Sequence, residues 1–418
     1  MRRSLLLLAT GFFSAALQGA PAGAQPTFSV DSQGPTVTAA IGDGFFGVAI
    51  TDGDILTNAM PGPLGPNPPL PGPLLAPGIE VGALSGAVGA VPGGLGVLPG
   101  VFGCLEVDAL SYGFDQGDTL YFSVEEHAVG VPGPLPPDVF SEGIFGAGEA
   151  SADVFRYLGL AVSTPPGLGP GNVAHIDGDG LAPSGLPGLG LIEPNPPTPG
   201  AVPDPGDNLD ALDLDTLLPF LGGPIFISLD SGFPDLLEPF PRANCGTALG
   251  NGFSGADVLV TFPGGPPFLA IPALELGLDL LGFDTDDLDA LIFHDADGSL
   301  TLTLPDTVYF SVRRGSAIIG APDSTYGFPI EEGDILMPPP ALGFPPSIFV
   351  SADDLGLVTL RSGSPGLYGA DELDALDLAP PPPPPTPVPA LGLWGIVALI
   401  AALASGPMLR LGTGRDRR

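Results

Sequence analysis

Thr307-Val308-Tyr309-Phe310-Ser311-Val312, then Asp334-Ile335-Leu336, then Asp374-Ala375-Leu376, is the stretch on which the reading of this chain turns. The first run is short and rich in β-branched and aromatic residues, which predicts a strand. The same three signatures return in the same order. Phe28-Ser29-Val30, Phe122-Ser123-Val124 and the variant Phe226-Ile227-Ser228-Leu229 match the first; Asp54-Ile55-Leu56, Asp153-Val154-Phe155 and Asp257-Val258-Leu259 match the second. Asp108, Asp210 and Asp289 each begin an Asp-Ala-Leu like that of Asp374. From Ser to the second-signature Asp the separations are 25, 30, 29 and 23 residues; from there to the third they are 54, 57, 32 and 40. Constant order with variable spacing is how a repeat behaves when its strands are kept and its surface connections take insertions.

Working outward, the runs at 119–124, 224–229, 257–262 and 347–352 have the same character as 307–312, and most are bounded by Gly, Pro or Asp. The expected class is all-β: four degenerate repeats over 25–379, at approximately 25–112, 113–215, 216–293 and 294–379. A propeller-like closed array is favoured over tandem small sandwiches. Each unit is too loop-diluted to build its own core, and closure hides strand edges. Helical periodicity is weak, with 207–221 its clearest instance. Pro- and Gly-rich insertions such as 61–77 and 185–205 read as extended loops.

Gly (64) and Pro (55) are abundant in the 418 residues, yet hydrophobic residues make 44% and mean hydropathy is +0.38, too apolar for a chain kept open by charge. Eleven basic side chains, none of them Lys, face 47 acidic ones, for a formal charge of −36. That excludes a phosphate-binding surface of the usual kind, so no nucleic-acid partner is expected.

Met1 to Ala24 reads as a secretory signal peptide, with Arg2 and Arg3 before an apolar run and Ala22-Gly23-Ala24 as the cleavage site. At the other end come a Pro-rich stalk (380–389), a hydrophobic stretch (390–409) and a basic tail (410–418) with four Arg. Twenty apolar residues at about 1.5 Å each match the hydrocarbon core, so a single transmembrane or sorting helix is expected. The Arg tail would stay in the cytoplasm and leave the body outside. The run Val388-Pro389-Ala390-Leu391 with Trp394-Gly395, an apolar helix and a terminal Arg cluster resembles the PEP-CTERM type of sorting signal, nearest its Ile-Pro-Thr-Leu variant. Pro389, Leu391, Trp394 and Gly395 match that opening; Val388 and Ala390 depart from it conservatively. The resemblance implies an exosortase-like sorting protease as partner and delivery to the cell envelope, surface or extracellular matrix, with the inner membrane engaged through 390–409. A permanent single-span anchor is the other reading. The body, with Ala352 to Leu357 among its motifs, is similar to a repeat of exported bacterial proteins that carries no established activity.

Acidic clusters are the sharpest local signal. Asp284 and Asp286, Asp295 and Asp297 before Gly298, and Asp177 and Asp179 before Gly180 place oxygens at alternate positions, the form a weak Ca²⁺ site uses. Ordinary Asp-Gly turns use the same residues, and no complete EF-hand spacing is present. Ca²⁺ is thus the one cofactor the sequence suggests. The Asp of each Asp-Ala-Leu reads as a backbone-capping residue fixing a turn, with ligation as the alternative. Cys104 and Cys245 allow either a disulfide between the first and third units or two separate thiols. Arg313 and Arg314 read as exposed partners of nearby acids.

No catalytic residue stands out. His127, His175 and His294 are scattered, and no Gly-x-Ser-x-Gly elbow occurs in the body. The sequence therefore predicts a non-enzymatic envelope protein with a structural, adhesive or binding role, extracellular polysaccharide being one suitable partner. The alternative is a secreted polysaccharide hydrolase working through a carboxylate pair.

Overall fold

The computed structural model describes residues 25–38, 50–58, 81–83, 106–112, 120–125, 138–142, 150–157, 172–181, 185–193, 206–214, 223–233, 246–362 and 369–379. The leader, the stalk, the hydrophobic stretch and the basic tail lie outside them, as do Cys104, Cys245, His127, Val388, Pro389, Leu391, Trp394 and Gly395. The chain divides into a body, 1–380, and a segment, 381–418; all described residues belong to the body. Among them, no helix is long and apolar enough to cross a membrane.

The body is all-β, with four antiparallel four-stranded sheets arranged like the blades of a propeller. Blade II holds β4 (Val107–Ser111), β5 (Leu120–Val124), β6 (Val154–Tyr157) and β7 (Asn172–Ile176). Blade III holds β8 (Ala211–Asp213), β9 (Ile225–Ser228), β10 (Val258–Thr261) and β11 (Phe268–Ile271). Blade IV holds β12 (Leu288–His294), β13 (Thr307–Val312), β14 (Ile335–Met337) and β15 (Ser347–Val350). Blade I is made from both ends of the body: β16 (Leu376–Ala379) pairs with β1 (Gln25–Phe28), which continues to β2 (Leu56–Asn58) and β3 (Val81–Ala83). Gln25 stands opposite Ala379 and Phe28 opposite Leu376.

Four apolar clusters fill the spaces between neighbouring blades: I with II, II with III, III with IV, and IV with I. Each sheet is therefore covered on both faces. That accounts for strands such as β4, β5, β9 and β10, in which every position is buried. It also separates this architecture from tandem sandwiches, where each unit would enclose its own core.

The first signature does two jobs in opposite directions. Phe28 and Val30 pack into the core shared with blade IV, Phe122 and Val124 into that shared with blade I, and Phe310 and Val312 into that shared with blade III. In blade III the equivalent residues are Ile227 and Leu229, facing blade II. The Ser between them points to the next blade, because side chains alternate along a strand. Ser29 Oγ donates to Val107 O, Ser123 to Leu209 O, Ser228 to Leu288 O and Ser311 to Leu373 O, at 2.6–2.9 Å. Every acceptor is the residue just before an Asp-Ala-Leu, so these hydrogen bonds run once round the ring.

The second signature is turn chemistry. Asp54, Asp257 and Asp334 each accept from the backbone N–H three residues earlier through Oδ2. Asp257 and Asp334 also accept, through Oδ1, from Ala273 and Ala352 at the start of the helical turn after the fourth strand. Asp153 reaches Gly178 in the same way.

Two sequence readings shift here. Within 207–221, the segment with helical periodicity, residues 211–213 are an inner strand, held by pairing to β9. The units 25–112, 113–215, 216–293 and 294–379 run one strand out of phase with the sheets, since Asp-Ala-Leu opens a blade.

Candidate functional site

The innermost strands β4, β8, β12 and β16 lie beside one another around the propeller axis. Each carries its Asp-Ala-Leu at the same point, which brings Asp108, Asp210, Asp289 and Asp374 together. In blades II and IV the Asp is the extra residue of a β-bulge, between Val107 and Ala109 and between Leu288 and Ala290, a device that re-aims one side chain without losing the strand. These four residues are only 4, 2, 4 and 5% exposed, and the Oδ2 of each is buried with no hydrogen-bond partner. Their assignment to backbone capping is thus corrected. The second-signature Asp residues perform that task, and the Asp-Ala-Leu residues turn inward.

Burial raises all four carboxyls well above the ordinary carboxylate range, and mutual repulsion adds to it. Asp289 of blade IV is repelled by Asp108 of blade II, Asp374 by Asp289, and Asp210 by Asp108. Blades II and IV lie on opposite sides of the axis, and their innermost strands β4 and β12 approach each other across it.

Two further tiers surround these residues. Two positions before each Asp stand Glu106, Asn208, Asp287 and Glu372. Directly after the Ser strand stand Asp31, Glu125, Asp230 and, in the fourth repeat, Arg313. Arg313 replaces an acid with a cation. It ion-pairs with Asp230 and, at 3.2 Å, with Asp287, donates to Phe233 O at 2.6 Å, and lies over the Phe233 ring with its guanidinium carbon 4.7 Å from the centroid. Arg314 pairs with Asp31 and, at 3.0 Å, with Glu372. Both are covered, Arg313 almost completely, in place of the expected exposed partners. Carboxylate oxygens of Asp210, Asp230 and Asp287 all lie within 4.8 Å of one another.

The acids that the sequence offered for Ca²⁺ lie away from the axis, in turns. Asp295 accepts from the N–H groups of Gly298, Ser299 and Leu300, and Asp297 from Ser299 N and Thr303 Oγ1. Asp284 ties Gly232 and Gly255, and Asp286 ties Asp279 and Ile318. Asp177 accepts from Gly180 and Asp179 from Leu181. These are the hydrogen bonds of Asp-rich turns. Asp177 also gathers with Asp153 and Glu193, and Asp295 and Asp297 with Asp306, each group within 4.8 Å. His175 is a buried residue of β7 with its ring 4.8 Å from that of Tyr121; burial, then Arg156, lowers its pKa to about 4. His294 is exposed at the end of β12.

Sequence reading passed over the axial tiers because it treated a repeated Asp as structural. A signal was available in the neighbours: the positions two before Asp-Ala-Leu read Glu, Asn, Asp, Glu, and those after the strand Ser-Val or Ser-Leu read Asp, Glu, Asp, Arg.

The raised carboxyls have a thermodynamic consequence. Each binds its proton more tightly folded than unfolded, so between the ordinary carboxylate pKa, about 4, and the raised value the folded state holds more protons, and stability falls as pH rises. In chelator, the melting temperature is expected to be higher near pH 5 than near pH 8. D108N/D210N/D289N/D374N should flatten that slope. A slope unchanged in the fourfold variant would assign it to the general negative charge instead.

Compared with protein families, with curated proteins and with solved structures, the chain matches none.

Proposed function

We propose that this is an exported protein of the bacterial cell envelope, delivered by 1–24 and sorted or anchored by 380–418. Its propeller acts as a non-enzymatic structural, adhesive or binding module. The observation that carries the reading is the burial of the axial carboxyls. A glycosidase must bring its acid and its base or nucleophile against a sugar. Here the four Asp-Ala-Leu carboxyls on the innermost strands are raised well above the ordinary carboxylate range by burial, and each residue is less than a tenth exposed. More open acids, such as Asp295 and Asp297, are engaged by backbone N–H groups of their own turns. That arrangement suits a rigid scaffold presenting its loops, and the −36 charge suits a module that meets anionic matrix through bridging cations.

The test is a panel of bacterial and plant polysaccharides offered to the purified protein, beside fractionation of the producing cells. Surface or matrix location, and binding without turnover, is the expected result. Glycan cleavage abolished by a single Asp or Glu substitution would replace this reading with the hydrolase.

A further inference from the structure

We propose that Asp210, Asp230 and Asp287, on the propeller axis where blades III and IV meet, hold a divalent oxygen-seeking cation, Ca²⁺ by the chemistry of the donors, with Asp108 and Asp289 as flanking charge. This goes beyond the envelope reading and does not depend on where the protein resides.

Three observations converge. The carboxylate oxygens of the three residues come within 4.8 Å of one another, near enough to share one ion. Asp210 Oδ2 and Asp287 Oδ1 are buried without a hydrogen-bond partner, on residues 2 and 0% exposed. A buried acceptor left without a partner is destabilising, so two in one cluster mark a place where something positive belongs. Arg313 already supplies one positive charge here, through Asp230 and Asp287, but its guanidinium leaves those two oxygens unengaged.

The donor set selects the ion. All three side chains are carboxylates, hard oxygen ligands; neither imidazole nor thiolate stands among them, which disfavours Zn²⁺ and softer metals. Ca²⁺ accepts irregular carboxylate geometry, whereas Mg²⁺ demands a near-octahedral shell and retains several waters, which a covered cluster accommodates poorly. The tiers add to the case by their asymmetry. Three repeats end the Ser strand with an acid, and the fourth ends it with Arg313, placed against Asp230 and Asp287. The cluster thus keeps part of its counter-charge built in, and the bound ion completes it.

The full chain is stripped with chelator, desalted, and melted near neutral pH with and without about 2 mM CaCl2, a concentration that fills weak sites. Calcium retained after a second desalting is measured by elemental analysis. Expected are a rise in melting temperature of roughly 5 °C and about one retained Ca²⁺ per chain. D210N and D287N should lose both, and D297N should keep both. D210N removes a carboxyl that makes no ion pair with Arg313, so it serves even if D287N fails to fold. The absence of both effects in the parent chain would overturn the proposal. So would effects that persist in D210N, or that vanish in D297N or D177N, which would move the ion to a surface turn.

Discussion

A chain ending at residue 370 is expected to lose cooperative unfolding and to self-associate, while one ending at Pro380 remains monomeric and melts in a single step. The missing segment carries β16, the inner strand of blade I. Its loss removes Leu373, Leu376 and Leu378 from the core between blades IV and I. At about 1.5–3 kcal/mol for each buried apolar side chain, these three alone approach the 5–15 kcal/mol net stability of an ordinary domain. The Leu373 carbonyl that Ser311 holds goes as well. β1 becomes an edge with free N–H and C=O groups, a template for pairing with another copy. Calorimetry and size-exclusion chromatography of the two truncations decide the matter; a monomer with an unbroken transition from the shorter one would mean that the ring does not depend on its closing strand.

R313M should cost about 3–5 kcal/mol in chelator near neutral pH, although Met matches the stem of Arg in volume. Arg313 is the cation against which Asp230 and Asp287 are buried, and removing one partner of a buried pair leaves the other charge uncompensated. The substitution also deletes the bond to Phe233 O and the contact with the Phe233 ring. D230N/D287N on the R313M background should restore much of the loss. Denaturant unfolding near neutral pH measures this, and a cost below about 1 kcal/mol would show that the pair has the weight of a surface salt bridge.

Reading outward from three short signatures was enough for the all-β class and the four repeats, because the positions that repeat are those geometry constrains on both sides; the number of blades and the closing of the ring come from the structure. Phe310 faces one neighbouring sheet and Ser311 the other, so neither can drift independently. Phase was harder to see. Asp-Ala-Leu follows the other signatures along the chain, yet in space it belongs to the next sheet, and only ring closure reveals the cut. The axial cluster escaped for a different reason: side chains of Asp108 and Asp289 are distant in sequence, and their meeting follows from a fourfold arrangement that no local pattern encodes. Asp295 and Asp297 attracted notice through spacing, which Asp-Gly turns and cation loops share.

The pairing of Gln25 with Ala379 has a consequence in time. The first strand of the body to be made waits for the last, and at ordinary rates of synthesis that interval is on the order of half a minute. Until then Gln25–Phe28 lacks one of its two strand neighbours, and whatever shields it during that wait governs the yield of finished molecules.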